Sequence, residues 1–263
     1  MTLTKKIKTM KNLQKRESNI ITPRMEDFIS NTDELMVETP EEEELLLRLM
    51  RPSSNDIRHS RFGASSRGTC LRRQMLAFMG MPPARMIDPG LKQIFWDGKM
   101  RHIRWQLLGH KAGIFTDVEV GLSVPEWLSS ISLDAVNDDE GWLFELKGMS
   151  AFVSTMTGDG VSHSHNLQIH TYFLFTGWDV CVYLVEDKRT QQTREIIVRR
   201  DEKVMTEVKR EIGFLCESAE NREIPPVQPE CKKKQGDYKT CPFAANCLKH
   251  EAQGNTWVQI GEW

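Results

Sequence analysis

The sequence of 263 residues lacks the features that would assign it at once to a membrane or secreted class. It contains no uninterrupted apolar run long enough to cross a bilayer, so nothing in it predicts a membrane-spanning helix. The first sixteen residues carry six basic side chains and no acid, but no apolar stretch follows them. We therefore expect no secretory signal, no membrane partner and a cytoplasmic protein.

The sequence also lacks a strong net charge and an internal repeat. The formal net charge is −2, which gives no global sign of a polyanionic partner. Local clusters differ in sign, however: residues 41–44 are acidic, whereas basic residues lie close to every motif described below. These basic residues are Arg67, Arg72, Arg73, Arg101, Arg104 and 232–234. This distribution is compatible with nucleic-acid binding and does not establish it.

The length predicts one elaborated domain with one active site, because a chain of this size can bury one substantial core. We expect a flexible or weakly ordered segment over residues 1–60, with a short helix over 40–50 that Thr39 could cap. The domain is expected over 61–250, with a cysteine-bearing C-terminal region at 225–250 and a tail at 251–263.

The pattern of apolar residues from Ser65 onward predicts an α/β fold in the order helix, helix, three strands, helix, two strands, helix. A first helix begins at Ser65 and ends before Pro82, and the chain from Pro225 onward is expected to be irregular. The remaining elements are helices at 91–112, 166–176 and 202–219 and strands at 116–124, 130–136, 142–146, 180–186 and 195–199.

Acidic and basic side chains are concentrated on one predicted β-hairpin, with the turn-forming loop 137–141 between its strands. Asp134 lies on the first strand, and Glu145 and Lys147 lie on the second. Because side chains alternate along a strand, Glu145 and Lys147 share a face, which Asp134 also reaches if the hairpin pairs in register. Two carboxylates beside an ammonium group suit a hard divalent cation and phosphodiester hydrolysis. Taken alone, the pattern is also that of a solvated hairpin face.

Two further signals accompany the hairpin. Gln168 and Tyr172 are four residues apart, so they share one face of the helix that follows it. His102 lies in the middle of an earlier helix, four residues after Gly98. A lone histidine in mid-helix is also compatible with a packing role.

Together these motifs resemble the RecB-like nucleases of the PD-(D/E)XK superfamily, in which a Gly-x(3)-His motif, an Asp in a strand, Glu-x-Lys and Gln-x(3)-Tyr follow in this order. The resemblance implies a restriction-endonuclease-like core, a mixed sheet flanked by helices. It also implies Mg or Mn held by His102, Asp134, Glu145 and the carbonyl of Leu146. Lys147 would be the catalytic lysine, and Gln168 and Tyr172 would position substrate and active-site groups.

The six cysteines fall into two groups, and metal ligation explains the larger one better than disulfides do. Cys181 and Cys216 lie in apolar patterns typical of buried thiols. The other four, Cys70, Cys231, Cys241 and Cys247, suit a 4Fe–4S cluster. The chain is similar here to iron–sulfur RecB-like nucleases, including CRISPR-adaptation exonucleases and the AddB nuclease domain, with one cysteine before the nuclease motifs and three after them. It departs from them in the nine residues between Cys231 and Cys241.

Two alternatives to the cluster remain open. Cys231, Cys241, Cys247 and His250 are close to a CCCH zinc finger, which would leave Cys70 free. A third interpretation makes all four cysteines buried and unliganded. The function expected is metal-dependent hydrolysis of DNA strands, and the resemblance favours an exonuclease acting in DNA processing, recombination or repair. Its expected partner is DNA, with a helicase, recombinase or CRISPR integration protein as protein candidates. The rival is a nucleic-acid-binding module with the zinc site and a vestigial nuclease core.

Overall fold

The computed structural model describes residues 20–32, 37–51, 60–84, 88–149 and 160–258. These residues form a six-stranded mixed sheet with helices on both faces. The helices are α1 Thr22–Ser30, α2 Pro40–Met50, α3 Leu71–Phe78, α4 Pro89–Lys111, α5 His163–Thr176, α6 Glu202–Glu220, α7 Pro229–Lys232 and α8 Ala244–Ala252. The strands are β1 Phe62–Gly63, β2 Asp117–Val124, β3 Ser129–Asn137, β4 Trp142–Met149, β5 Val180–Asp187 and β6 Thr193–Arg199.

The sheet runs in the order β1, β3, β4, β5, β6, and β2 pairs with β3. Ser129 of β3 pairs with both Phe62 of β1 and Val124 of β2, so those two strands flank β3 on opposite edges. Strand β2 pairs with β3 in antiparallel orientation, and β3 pairs with β4 in the same way, as expected for a meander. Strands β4 and β5 are parallel, and α5 supplies the crossover that a parallel pair requires.

The central strands are covered on both faces, which is why β5 is buried along its whole length. Leu146 and Val182 point to one face, where they pack in a cluster with Ile103 of α4. Leu143 and Tyr183, an odd number of residues from Leu146 and Val182 on the same strands, point to the other face and pack with Ile169 of α5. The sheet therefore separates α4 from α5, and a side chain of either helix can reach the edge where β3 and β4 meet.

The start of the first predicted helix was placed too early. Residues Ala64–Ser66 form a single 3-10 turn, and α3 begins only at Leu71, with Cys70 as its N-cap residue. Gly68 between them adopts a φ of +71°, which a continuing right-handed helix does not allow. The other predicted helices and strands are present, with ends shifted by a few residues.

The N-terminal region contributes two helices to the fold. The expected helix α2 is present, and Thr39 caps it by accepting the N–H of Glu42. Helix α1 was not expected, and a carboxylate distant in sequence fixes its start. Glu195 of β6 accepts the N–H groups of Ile20, of Ile21 at 2.9 Å and of Thr22 at 3.1 Å. A carboxylate is favourable at a helix N-terminus because it satisfies otherwise unpaired donors.

The expectation of an irregular chain after Pro225 was wrong, because α7, α8 and a short 3-10 helix lie there. The buried side chain of Arg72 on α3 fastens this region to the domain. It donates to the carbonyl of Pro225 at 2.8 Å, to Sγ of Cys247 at 3.0 Å and to Oδ1 of Asn255 at 2.8 Å. The two ends of the domain therefore meet at α3. Among the described helices, none has the length and apolar character of a membrane span.

Candidate functional site

The hairpin strands β3 and β4 separate at the predicted acidic residues. Their pairing begins at Asn137 with Trp142 and ends at Ala135 with Phe144, so Asp134 and Glu145 are not ladder partners. Beyond this point the backbone N–H of Leu146 donates to Oδ2 of Asp134 at 2.8 Å instead of to a neighbouring strand. The hairpin therefore opens into a gap, and the Asp134 carboxylate lies within it.

His102 reaches the same gap from α4. Its Nδ1 lies 3.1 Å from Oδ1 of Asp134. Burial lowers the pKa of His102, but the Asp134 carboxylate raises it by more, so the net shift is upward. Burial raises the pKa of Asp134, but the charge and hydrogen bond of His102, the charge of Lys147 and the Leu146 N–H together lower it by more. The two side chains are therefore in direct polar contact, and each shifts the pKa of the other towards its charged form.

Glu145 is buried and held by three side chains. Gln168 of α5 donates its Nε2 to Oε1 at 2.8 Å, and the Tyr172 hydroxyl donates to Oε2 at 3.0 Å. Lys147 forms a close ion pair with Oε1. The predicted sharing of one helix face by Gln168 and Tyr172 is therefore observed, and both side chains are used to orient a single carboxylate.

Electrostatics show why this carboxylate pair suits a cation. Burial and then the nearby Asp134 charge raise the pKa of Glu145, because two carboxylates compete for ionisation in one small volume. Burial lowers the pKa of Lys147, but the Glu145 and Asp134 charges raise it by more. Lys147 therefore forms an ion pair with Glu145, and His102 contacts Asp134.

The donor set fits a hard divalent ion by its chemistry, because two carboxylates and an imidazole lie together, next to the backbone of Leu146. In this structure the ligand atoms are directed at one another and at Lys147. Within the described ranges, no three or more His, Cys, Asp or Glu side chains stand in the arrangement of a formed metal site. An ion would have to replace Lys147 and the His102 proton as partners of the acids.

A cleft of about 760 Å³ lies beside this gap. It is lined by the C-terminal end of α2, the N-terminal half of α4 and the end of β4. His102 and Lys147 of the candidate site are among the residues that line it. Its other walls are mainly cationic, contributed by Arg48, Arg51, Lys99, Arg101 and Lys188, with Glu119 as a carboxylate. Such a cleft concentrates polyanions at the candidate catalytic groups.

The four candidate cysteine ligands meet in a second place. Cys70 lines a cavity of about 20 Å³ together with Cys231, Cys241 and Cys247. Burial raises the pKa of Cys231, and Cys70, Cys241 and Cys247 add to that shift, as expected of thiols that lie close together. All six cysteines are free thiols. The cavity therefore lies between the start of α3 and the C-terminal region.

His250 does not line that cavity. Its Nε2 lies 2.8 Å from the carbonyl oxygen of Thr256, and its Nδ1 lies 3.4 Å from Nη2 of Arg72. The side chain thus belongs to the network that fastens the C-terminal region. Cys181 is fully buried in β5, and Cys216 donates its thiol to the carbonyl of Trp127, so neither lies with the other four.

A third group escaped the sequence analysis. Glu186, 1% exposed, accepts hydrogen bonds from Arg101, Arg104 and the indole of Trp105, which all lie on α4. Burial raises its pKa, but the hydrogen bonds from Trp105, Arg101 and Arg104 lower it by more. The local signal was the run of basic residues around His102, whereas their partner Glu186 lies on β5, more than 80 residues further along the chain.

No protein-family model and no curated protein matches the sequence. Among solved structures, the chain is similar to an alkaline exonuclease from Laribacter hongkongensis, with 17% identity, a TM-score of 0.47, and coverage of 68% of this chain and 93% of that one. The same enzyme in complex with dAMP is 16% identical to the chain, with a TM-score of 0.48, and the match covers 63% of this chain and 90% of that one. A phage-related exonuclease from Haemophilus somnus 129PT is 10% identical, with a TM-score of 0.41, and the match covers 62% of this chain and 95% of that one. These TM-scores are below 0.5, so the function is inferred from the site alone.

Proposed function

We propose that this protein is a divalent-metal-dependent deoxyribonuclease of the PD-(D/E)XK type. One observation carries the proposal: His102 from α4, Asp134 from β3 and Glu145 and Lys147 from β4 converge on the gap where the hairpin opens, beside a cationic cleft. Acids, base and imidazole come from three elements, so their meeting is not explained by sequence proximity.

Mg or Mn would be held by His102, Asp134, Glu145 and the Leu146 carbonyl. When bound, it would supply a polarised phosphoryl oxygen and a water of lowered pKa. Lys147 then has its ammonium group free to orient the attacking water and to offset charge that develops on the phosphate. Gln168 and Tyr172 hold both oxygens of Glu145, so this carboxylate does not need to reorganise during the reaction.

We further propose that cleavage proceeds from a strand end, in DNA processing, recombination or repair. This part follows the family resemblance of the motifs, and a helicase, recombinase or CRISPR integration protein would be a fitting partner. Linear and circular DNA of identical sequence distinguish the modes. An exonuclease releases nucleotides from the linear form and leaves the covalently closed circle intact.

The experiment that tests the nuclease assignment compares Glu145→Ala with Lys111→Ala under Mg and Mn titration. Lys111 is a matched control, since it also pairs with glutamates, at 3.1 Å, but lies away from the cleft. We expect Glu145→Ala to lose cleavage and Lys111→Ala to retain it. A highly purified Glu145→Ala protein with full activity would refute the assignment, and wild-type protein that binds DNA without cleaving it would favour the vestigial core.

The second part of the proposal is a 4Fe–4S cluster on Cys70, Cys231, Cys241 and Cys247. The shared cavity supports it, because four thiols from distant parts of the chain line one small space. The basic side chains of Arg72 and Arg73 line the same cavity and suit a thiolate-rich centre. The placement of His250 outside the cavity favours four cysteines over a CCCH zinc site. The cluster would clamp α3 to the C-terminal region.

A further inference from the structure

Helix α4 carries an exposed side that leads directly to the candidate catalytic centre. With 3.6 residues per turn, Leu91, Phe95, Gly98 and His102 lie along one side of the helix. Phe95, Gly98 and His102 line the cleft. His102 is at the inner end of this row, and Phe95 lies about two turns further out, so the row follows the direction by which a substrate would approach.

Phe95 is 55% exposed although it is aromatic and borders the cleft. An aromatic ring beside cationic side chains is the combination that binds single-stranded nucleic acid, since bases stack on the ring while the cations follow the phosphates. A base pair in a duplex does not offer its face in this way. The exposed ring therefore favours unpaired bases at the mouth of the cleft.

Gly98 lies between the ring and the catalytic centre, one turn from each. A Cβ atom added to Gly98 would meet nothing within 4 Å, so the packing of the described residues does not require glycine there. Glycine inside a helix is destabilising, and its use is to let another backbone or a ligand come close. A strand running from Phe95 to His102 would pass over this position.

Arg101 supplies a phosphate-binding group at the inner end of the row. Glu186 holds its Nε at 2.8 Å, which fixes the guanidinium, while its Nη1 is buried and has no hydrogen-bond partner in the described part of the chain. A Cβ atom added to Gly148, the residue after Lys147, would lie 2.9 Å from that Nη1. Besides Arg101, the flexible Lys188 side chain covers this spot, with its Cε 3.2 Å from the same position.

We propose that this side of α4 is the docking surface for a single strand of DNA, on which Phe95 stacks against an unpaired base, the backbone passes Gly98, and Arg101 binds a phosphate beside Lys147. The proposal rests on the nuclease function above and deepens it. Charge favours DNA over a second copy of the chain as the occupant. Six cationic side chains line the cleft against one carboxylate, so two identical clefts would repel each other.

Phe95→Ala is the primary test, and Trp96→Ala is its matched control. Trp96 is 64% exposed on the same helix but, one residue on, points about 100° away and does not line the cleft. Binding of labelled oligo-dT and of a duplex of the same length is measured by fluorescence anisotropy in EDTA. We expect Phe95→Ala to weaken oligo-dT binding about 5- to 140-fold, the range for loss of one base stack, and Trp96→Ala to leave it unchanged.

Arg101→Gln tests the phosphate contact through its salt dependence. One lost phosphate contact lowers the slope of log K against log salt by about 0.7 for a single strand. Arg101→Lys, which keeps the charge, should restore the slope in part. The melting temperature of each variant verifies the fold, and because Phe95 is exposed, its result stands even if Arg101→Gln loses stability with its Glu186 contact.

Equal effects of Phe95→Ala and Trp96→Ala, an unchanged salt slope for Arg101→Gln, or tighter binding of the duplex would overturn the proposal. So would a Phe95→Ala protein with unchanged DNA binding that sediments as a smaller species than wild type, because the surface would then serve self-association. Cleavage is assayed separately with Mn. Wild-type cleavage combined with failure of these binding results refutes the docking surface alone, whereas absent cleavage refutes the nuclease function.

Discussion

Leu146 donates its backbone N–H to the side chain of Asp134 over 2.8 Å, at the position where the two strands of the hairpin part. A ladder hydrogen bond is thus replaced by one to a carboxylate. The contact holds the Asp134 side chain between the two strands where the β3–β4 ladder ends. Asp134 is therefore both a partner of the β4 backbone and a candidate ligand, and the two roles can be separated by substitution.

We predict that Asp134→Asn loses at least about a hundredfold in cleavage rate and that high Mn does not restore it. The asparagine oxygen can still accept the Leu146 N–H, so the hairpin should keep its shape, but the charge that a hard cation requires is gone. His102→Ala, by contrast, removes a neutral ligand and should regain part of its activity at high Mn. Metal-titrated cleavage rates and melting curves measure both effects.

An equal and unrescued loss in both variants, accompanied by lower thermal stability of His102→Ala alone, would contradict this distinction. In that case His102 would serve packing. His102 follows Arg101 and precedes Trp105 by three residues on α4, and both of these neighbours bind Glu186. The stability of His102→Ala must therefore be measured as a control.

We predict that Tyr172→Phe lowers the cleavage rate about 10- to 100-fold while the protein stays folded. The substitution removes one hydrogen bond to a charged carboxylate, typically about 1.5–3 kcal/mol, and leaves the ring volume intact. Thr171→Val is the matched control, because it deletes a buried hydroxyl on the same helix that donates to the carbonyl of Leu167. If both variants slow cleavage equally, Tyr172 acts through the packing of α5 and does not position Glu145.

We predict that Cys70→Ser yields colourless protein with less iron and a much lower melting temperature. A cluster on Cys70 and Cys231 closes a long loop that includes strands β2 to β6, and such a constraint contributes about 4–5 kcal/mol in the chain-entropy model. Cys216→Ser is the control, since that thiol lies outside the cavity. Anaerobic purification, with iron and zinc counted, measures the outcome.

A stable Cys70→Ser protein that keeps its metal would exclude the four-cysteine set. If His250→Ala instead loses about one zinc per chain, the CCCH alternative is correct. Under the cluster hypothesis His250→Ala keeps its iron, because that ring binds Thr256 and Arg72 on the outer side of the cavity.

We predict that Glu186→Gln costs about 3 kcal/mol at neutral pH and flattens the acid side of the stability profile. The folded-state pKa of Glu186 is lowered, so its contribution is complete above the unfolded value of about 4.3 and disappears as the pH falls through the folded value. Urea unfolding between about pH 3 and pH 7 compares the two proteins. Parallel profiles would mean that Glu186 is not ionised in the folded protein.

Local sequence signals predicted the parts of the fold that local interactions determine. The hairpin around 137–141 has turn formers between alternating strands, and α5 follows from the helical spacing of Gln168 and Tyr172. The proximity of the candidate catalytic residues could be predicted because each of them lies on such an element. The gap itself could not, because the end of pairing at Ala135 depends on a side chain taking the N–H of Leu146.

The features that were missed all depend on partners distant in sequence. Helix α1 is fixed by Glu195, more than 170 positions away along the chain, and the C-terminal helices by Arg72. The cluster of Arg101 and Trp105 around Glu186 joins residues over 80 positions apart. Helix propensity and periodicity describe windows of a dozen residues and contain no information on such pairs.

The most direct test of the central claim is the single-turnover cleavage rate of Lys147→Ala on end-labelled DNA at saturating Mn, measured beside its DNA affinity. Lys147 pairs with Glu145 and lines the cleft, so its removal should abolish chemistry while the remaining cations still bind the strand. If Lys147 is a catalytic residue, we expect loss of cleavage with DNA affinity reduced by less than about tenfold. Wild-type cleavage by a pure, folded Lys147→Ala protein would contradict it.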